Sequence, residues 1–584
     1  MDKSTVVATL LAAAAHGRGG LRFLDRAERE TFHPWPEILE RARAAAGRLQ
    51  RLGIAPGDRV AIVLPTGVDF FDAYFGIQLA GAVPVPLYPP VRLGRLDEYH
   101  RQTAAMLEAA GARLLLTERR LQLLLGETVE RARPELGCAR LVDLPERSFR
   151  EVAVAPGDLG LVQFSSGTTV DPKPVALSHR ALMAQVRVLN ALWPERDGVA
   201  VTGVSWLPLY HDMGLIGCVL PAMDLPSEMT LIGPEVFVTR PAVWLRAISR
   251  YRAFISPAPN FAYGLCVTKV RDDELAGVDL SSWRAALNGA EAIAPGVARA
   301  FIERFAPFGL RPEALTPVYG LSEAALAVTF SALDRPFRSE RFDRHRLADE
   351  RRAVPAADGQ EIVSLGRPLA GFSLRVVGPE GAEQPEGRVG RVWITGPSLM
   401  EGYLGRPEAT ARALVDGWLD TGDLGFLWQG ELYLTGRAKD VLILRGRNYA
   451  PDLVEHAVDG LPGLRTGCAV AVSWLPEGAE GEVLALFLEA HRDSSEAQLT
   501  ALPEAARQAV LGATGLAVDE VVLVAPGTLP RTSSGKLRRA ETLKRHRAGE
   551  LEPPAAVTAL RLAGSFARSG LAWARLKVGG GRRG

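Results

Sequence analysis

The residues best suited to chemistry form a loop, Gln163-Phe164-Ser165-Ser166-Gly167-Thr168-Thr169-Val170-Asp171-Pro172-Lys173, placed directly after the strand-like run 159–164. Hydroxyls, a glycine and backbone N–H groups in this order can wrap phosphate oxygens. The Gly-x-x-x-x-Gly-Lys-Ser/Thr spacing of a Walker loop is absent, and a polar turn running into a helix cap is the plain alternative. Lys173 carries extra weight because the chain holds 61 Arg and only 7 Lys. A compact, rotatable ammonium does work that a planar guanidinium cannot. Two more of these scarce lysines fall in suggestive places. Lys439 follows Gly436-Arg437-Ala438, and Lys536 ends Pro530-Arg531-Thr532-Ser533-Ser534-Gly535, a loop that presents a single cation.

Three other segments could complete a site. In Trp206-Leu207-Pro208-Leu209-Tyr210-His211-Asp212-Met213-Gly214, His211 stands between an aromatic and an acid, which suits a pocket edge or an ordinary structural histidine. Asn288-Gly289-Ala290-Glu291 and Tyr319-Gly320-Leu321-Ser322-Glu323 each supply what a nucleotide needs. An aromatic stacks on a base, glycine admits close backbone approach and a carboxylate holds Mg²⁺; two strand-end turns would look the same. Asp420-Thr421-Gly422-Asp423 offers an acid in a glycine turn, able to accept two hydrogen bonds from a ribose diol.

The elements that must carry these loops alternate along the first 330 residues. Apolar runs at 60–64, 82–87 and 159–164 read as strands, and Phe70 to Leu79 has helical spacing. Ser178 is expected to cap a helix whose apolar face is Leu182, Val186, Leu189 and Trp193. Such alternation favours an α/β fold of layered sheets with flanking helices. Twelve charged residues crowd into 334–352, most simply a solvated insertion. The pattern resets near 436–450. A strand is expected at 440–444, Pro451 at a helix N1 position, strands at 467–474 and 482–488 and a helix near 496–511, together a small α+β domain.

Composition narrows the function classes. The chain has 584 residues, 47% apolar and 23% charged, which suits a globular protein of several domains. Its net charge of +1 leaves no overall footprint for nucleic acid, so no nucleic-acid partner is expected. Four cysteines without a Cys-x-x-Cys pair read as buried hydrophobes in a reducing, cytoplasmic setting. No run reaches the length of a membrane span. Val6 to Ala15 faintly mimics a signal peptide, but reads more simply as the first helix.

Order and spacing of these motifs, from about residue 30 to 545, resemble the adenylate-forming superfamily of acyl and aryl ligases. Within it the chain is most similar to the fatty acyl-AMP ligases, through Trp206 to Gly217, Ala258-Pro259-Asn260-Phe261-Ala262-Tyr263, Asn288 to Glu291 and Arg445-Gly446-Arg447-Asn448-Tyr449. The last stretch differs from the Arg-Gly-Gly-Glu typical of acyl-CoA ligases, and the charged segment near 331–365 lies where acyl-AMP ligases carry an insertion thought to hinder use of free coenzyme A. Val170, Pro174 and Gly264 depart from the family pattern, which more often has Gly or Arg, Gly, and an acid there.

The resemblance implies a large N-terminal domain over 1–436, a small mobile C-terminal domain over 437–550 and a basic tail over 551–584. It implies ATP and Mg²⁺, a medium- or long-chain fatty acid, formation of an acyl-adenylate with pyrophosphate release, and acyl transfer to the phosphopantetheine thiol of a separate acyl carrier protein, as in lipid, polyketide or lipopeptide biosynthesis. Residue by residue, it assigns Lys536 to the carboxylate and α-phosphate, Glu323 to Mg²⁺, and Ser165, Ser166, Gly167, Thr168, Thr169 and Lys173 to the phosphates. Tyr319, Gly320 and Ser322 with Asn288, Gly289 and Ala290 would flank adenine, Asp423 and Arg437 would hold the ribose, His211 would stand at the carboxylate end of the acyl tunnel, and Lys439 would be the hinge. Two rivals remain at this point: a long-chain acyl-CoA ligase, and a nucleotide-binding recruitment protein without catalysis, for which only Val170 and Pro174 speak. In the tail, Arg561, Arg568 and Arg575 repeat every seven residues on one helical face, with Leu562, Phe566, Trp573 and Leu576 nearby. That face is expected to dock a carrier or an anionic membrane surface, or else to be a frayed basic end.

Overall fold

A computed structural model describes residues 2–90, 93–165, 173–193, 201–444, 447–476, 482–532, 536–555 and 557–580. Ser166, Gly167, Thr168 and Thr169 of the phosphate loop lie outside the described residues, as do Val170, Arg445 and Gly446.

Among the described residues the large α/β domain is built on several sheets. The main one has nine strands, in the order Arg367–Pro368, Ala327–Phe330, Leu315–Gly320, Ala285–Asn288, Ile255–Ala258, Gly203–Ser205, Glu228–Ile232, Gly20–Leu24 and Glu30–Pro34. Its inner strands run parallel and its outer ones antiparallel. Parallel strands need helical crossovers that cover both faces, which explains why they read as continuous apolar runs. A second, all-parallel sheet orders Val83–Pro86, Arg59–Val63, Ala112–Thr117 and Cys138–Ala139. The strand Leu159–Phe164 leads into the Ser/Thr-rich segment expected to hold phosphate and pairs antiparallel with Pro174–Ser178, which also pairs with Gly402–Tyr403. Proline in a strand is tolerated where its missing N–H is not needed; Pro174 instead offers its carbonyl to the Leu404 N–H, 2.8 Å away.

Local signals work as chemistry dictates. Ser178 Oγ accepts from the Ala181 N–H at 3.2 Å and opens helix His179–Asn190, whose Leu182, Val186 and Leu189 are buried. Val6–His16 forms the first helix, capped by Thr5 and closed by Gly17 in the left-handed region. Pro451 begins helix Pro451–Ala457. The smaller C-terminal α+β region pairs Leu464–Trp474 antiparallel with Val483–Ala490, adds Glu520–Val524 in parallel, and packs Leu502, Ala506 and Val510 of helix Glu496–Thr514 into its core.

One expectation gains detail and one needs correction. The charged segment is solvated but ordered: Ser339–Phe342 pairs with Gln360–Val363, the helix Arg344–Asp349 stands between them, and Phe342 is fully buried against Phe426 and Tyr433. Phe337 and Phe342 stand among the twelve charges, and Phe342 anchors the segment. The tail is neither frayed nor turned outward. Helix Ala559–Gly580 lies on helix Gly126–Ala132, with Arg568 paired to Glu127, Arg575 paired to Glu130, and Trp573 and Leu576 packed against the apolar cluster of the four-stranded parallel sheet that includes Val63, Val85 and Leu115. The basic face expected to meet a carrier or membrane is therefore spent on acids of the large domain, although Arg561 remains exposed. No helix among the described residues is long and apolar enough to cross a membrane.

Candidate functional site

A cavity of about 720 Å³ opens where the large and small regions meet. Its charged end is lined by Lys173, His211, Glu323, Arg437, Lys439 and Lys536. Its apolar end is lined by Leu189, Trp193, Met213, Cys218, Pro221 and Met229. A smaller cavity of about 270 Å³ shares His211, Ala290 and Lys536 with it and runs past Tyr88, Tyr210, Phe261 and Arg531.

Lys536 is mostly buried at the junction of both cavities. Its backbone is tied to Thr532: the Lys536 N–H donates to Thr532 Oγ1 at 3.1 Å, and the Thr532 N–H donates to the Lys536 carbonyl at 2.8 Å. Burial and the neighbouring Arg437 push its ammonium below the usual lysine value, while Asp212, Glu291 and Asp423 favour the charged form. A cation desolvated this way is primed to take an anionic partner.

His211 is oriented by Asp212, whose Oδ1 lies 2.7 Å from His211 Nδ1, and the Ser322 hydroxyl donates to Asp212 Oδ2 at 2.5 Å. Burial alone would raise Asp212, but His211, Ser322 and Lys536 outweigh it and hold the carboxyl at about 2. Asp212 is thus a fixed negative charge. Glu323 Oε1 accepts from the Tyr403 hydroxyl at 2.9 Å, and Lys173 Nζ sits 4.4 Å over the Tyr403 ring. Burial lowers Lys173 while Glu323 opposes it.

Asp423 is almost fully buried. Its Oδ2 accepts from the Tyr319 hydroxyl at 2.7 Å, and its Oδ1 lies 3.0 Å from Arg437 Nε. A carboxylate has about four acceptor sites, so lone pairs remain for a ribose diol. Lys439 is exposed at the cavity edge, one residue beyond Ala438, whose N–H donates to the Gly422 carbonyl at 3.0 Å. Ser165 lines the cavity where the phosphate loop begins, its N–H donating to the Lys173 carbonyl at 3.1 Å.

The strand end 288–290 behaves less uniformly. Ala290 lines both cavities with φ +69°, a strained value for alanine of the sort concentrated at functional sites. Gly289 packs on Val318, where a Cβ would stand 2.7 Å from Cγ2. Asn288, by contrast, is fully buried and donates to Asn260 Oδ1 at 3.3 Å instead of facing the cavity. Ser322 is likewise committed to Asp212, so it positions and does not directly offer its proton to a nucleotide. Gly320 lines the cavity beside Tyr319, and its missing Cβ would fall 1.8 Å from the Leu326 carbonyl oxygen.

Asp212, Glu291 and Tyr403 belong to the site without having been singled out from sequence. Asp212 and Glu291 lay inside quoted motifs. Glu291 accepts from the Phe261 N–H at 2.6 Å, and burial pushes its carboxyl up. Tyr403 has no local signature, since it reaches Glu323 only because Gly402–Tyr403 pairs with Pro174–Ser178.

A backbone irregularity borders the apolar arm. Leu215–Val219 is a π-turn between Asp212–Gly214 and Leu220–Asp224, and Gly217 on it lines the cavity. Cys218, in the wall, is pushed up to about 12 by burial and stays a neutral thiol.

Mg²⁺ typically takes one or two carboxylates and fills its shell with substrate phosphates and water. Among the described residues no group of three His, Cys, Asp or Glu gathers to hold a metal. Glu323 beside Lys173 fits the Mg²⁺ pattern, and does not fit an all-protein cage.

Comparison with known proteins agrees with this geometry. The model of the AMP-binding enzyme family matches residues 11–404. The chain is 37% identical over 550 residues to a putative acyl-CoA synthetase of Caulobacter vibrioides, covering 92% of this chain and 94% of that one. It is 36% identical to the 4-hydroxyphenylalkanoate adenylyltransferase of Mycobacterium marinum, covering 88% and 85%. Its fold superposes with a TM-score of 0.87 and 34% identity on a structure from a study of fatty acyl-adenylate ligases of E. coli and L. pneumophila, covering 94% of this chain and 99% of that one. A nucleotide-sized charged pocket joined to an apolar arm, on a chain matched along nine-tenths of its length, has one consequence: the chain belongs to the AMP-binding enzyme family, the adenylate-forming acyl-AMP and acyl-CoA ligases.

Proposed function

We propose that this chain is a fatty acyl-AMP ligase. It activates a medium- or long-chain fatty acid with ATP and passes the acyl group to the phosphopantetheine thiol of a separate acyl carrier protein. The observation that carries the reading is Lys536, which lines both the large cavity and the smaller one beside it.

A carboxylate and a triphosphate repel, so the catalyst must bring two anions together and neutralise them. The acyl chain would lie along Met213, Gly217, Cys218 and Met229, which leaves its carboxylate near His211 and Lys536. One carboxylate oxygen attacks the α-phosphorus, a P–O bond to pyrophosphate breaks, and the acyl-adenylate forms. Lys536 would compensate the charge shared by the two reacting groups. Asp423 and Arg437 would hold the ribose, and Tyr319, Gly320 and Ala290 would line the base. Ser165, Ser166, Gly167, Thr168, Thr169 and Lys173 would cradle the leaving phosphates. Glu323 would hold Mg²⁺, which when bound shields phosphate charge. In the second half-reaction the carrier thiolate attacks the acyl carbonyl, a thioester forms and AMP leaves with the electron pair of the broken C–O bond. The second cavity, past Tyr210 and Phe261, is a fitting approach for that thiol.

We take the division between domains at residue 437, with Lys439 as the hinge about which the small domain turns, and the segment 551–584 as a separate tail. The acyl-AMP reading is favoured over an acyl-CoA ligase by the ion pair between Asp349 of the insertion and Arg447 of the small domain, 2.9 Å.

The test is pyrophosphate release from ATP over a panel of fatty acids, followed by transfer of the purified adenylate to coenzyme A or to a phosphopantetheinylated carrier protein. Release with C8–C18 acids and transfer to the carrier in preference to coenzyme A is expected. Absence of acid-dependent release overturns the proposal.

A further inference from the structure

The small region meets the large one at several places. One is the covalent crossing near Lys439, and a second is the Asp349–Arg447 ion pair. Another is non-covalent and begins at Arg95, whose Nη2 donates to the carbonyls of Gly527, Thr528 and Glu552 at 3.3, 3.0 and 3.1 Å. Arg95 thus grips the small region's loop and the chain leaving that region with one guanidinium. Beside it, Glu98 accepts from Arg545 at 2.8 Å. A Cβ at Gly94 would stand 2.5 Å from the Ala555 carbonyl oxygen, so the departing chain runs hard against the large domain.

The chain then ends in the docked helix. Ser569 Oγ accepts from the Gly126 N–H at 2.8 Å, Trp573 Nε1 donates to the Gln122 carbonyl at 3.1 Å, and Arg568 and Arg575 pair with Glu127 and Glu130 at 3.0 and 2.9 Å. Ser569 and Ala572 are almost wholly covered. This contact buries Ser569 and Ala572 at its centre and carries ion pairs at its rim, the arrangement of a specific interface.

The grip lies close to the catalytic cation. Thr528 precedes Leu529, which is fully buried and donates to Glu489 Oε1 at 2.9 Å, and the chain continues through Pro530 and Thr532 to Lys536. The crossing near Lys439 alone would let the small domain pivot, and each further contact restricts that turn until it is released. The eleven residues from 548 to 558, drawn out, span at most ~36–40 Å. The small domain can therefore turn about Lys439 only as far as the docked helix allows, and only once the segment around Glu552 leaves Arg95 and the Asp349–Arg447 pair opens.

We propose that Arg95 and the docked helix Ala559–Gly580 are positioning elements for Lys536: they tie the small domain to the large one in the arrangement that adenylates, and release of this tie gates acyl transfer. The proposal rests on the two-step reaction proposed above. Arg95 also lines the second cavity, taken above as the approach for the thiol, whereas the helix lines neither cavity, so the helix variants read the tie alone and the distinguishing readout is the ratio of the two half-reactions and not overall activity.

The test uses the full chain, dodecanoic acid and ATP. Single-turnover pyrophosphate release reads adenylation, and transfer from purified dodecanoyl-adenylate to a phosphopantetheinylated acyl carrier protein reads the second step. Arg95→Ala should slow adenylation at least tenfold; because Arg95 lines the second cavity, its transfer is read as kcat at saturating carrier protein, where it should hold or quicken. Arg568→Glu with Arg575→Glu should move the ratio the same way by about threefold, and adding Glu127→Arg with Glu130→Arg should restore it. If Arg95→Ala fails to fold, the charge-reversal and restoring variants carry the test alone. Both rates falling by one common factor, or neither moving, overturns the proposal. Hydrogen exchange at the Gly126 amide reads docking without any turnover: it should quicken at least tenfold in Trp573→Ala, and unchanged exchange also overturns the proposal. A wild-type chain that makes no adenylate counts against the proposed function, a result that the exchange measurement keeps separate from failure of the tie.

Discussion

The Asp349 carboxylate lies 2.9 Å from Arg447 Nε, so the charged insertion of the large domain holds the small region directly. Both side chains are partly exposed, 33% and 49%, and such a pair is worth ~0.2–1 kcal/mol. If the insertion restrains the small domain, Asp349→Ala should raise thioester formation with coenzyme A about two- to fivefold and leave pyrophosphate release unchanged. Equal coenzyme A turnover in variant and wild type would remove the insertion from partner selection. Deleting 334–352 is the poorer experiment, because it takes buried Phe342 with it.

Lys536→Ala should lower adenylation by at least 10²–10³, the loss of ~3–4 kcal/mol typical for one preorganised charge partner. Lys536→Arg should not rescue it, since a planar guanidinium cannot occupy the site of a compact ammonium. Thermal unfolding of both variants, measured alongside, separates a lost catalytic charge from a lost fold. Near-normal pyrophosphate release in either variant would defeat the assignment.

The pH profile carries a sign that can be checked. Lys536 must be protonated to neutralise two anions, and burial with Arg437 lowers its titration. Adenylation should therefore fall as pH rises, starting below the ~10.4 of an ordinary lysine. Asp212 favours the ammonium and is itself ionised above about 2. Asp212→Asn should shift the basic limb to lower pH. A limb that stays in place or moves upward contradicts the coupling.

Chain-length preference should respond to Gly217. Its missing Cβ would stand 2.6 Å from Leu326 Cδ2, the movable end of a side chain, so a larger residue fits the fold but intrudes on the apolar arm. Gly217→Leu should cut pyrophosphate release with palmitate at least tenfold while octanoate keeps most of its rate. Parallel losses for both acids would show that the acyl chain runs elsewhere.

Tyr403→Phe removes the hydroxyl that Glu323 accepts from at 2.9 Å but keeps the ring under Lys173. The Mg²⁺ concentration for half-maximal release should rise about three- to tenfold, with kcat less affected at saturation. An unchanged Mg²⁺ requirement would detach Tyr403 from metal binding.

What could be read along the chain is what neighbouring residues encode. The Ser178 cap, Pro451 at a helix start, the strand Leu159–Phe164 entering the phosphate loop, and the motifs ending in Lys173, Glu323, Asp423 and Lys536 depend on spacing within a few residues. Family resemblance then ordered those motifs into one site. Tertiary structure alone decided which partners they meet. Tyr403 reaches Glu323 across 80 residues of sequence, Arg95 reaches Thr528 across 433, and Ser569 reaches Gly126 across 443. It also turned Asn288 inward and drew the tail's arginines onto Glu127 and Glu130. The physical reason is common to all of these: periodicity says which face of an element is apolar or basic, but the opposing surface is chosen by sheet order, register and packing, which join residues that no local pattern connects.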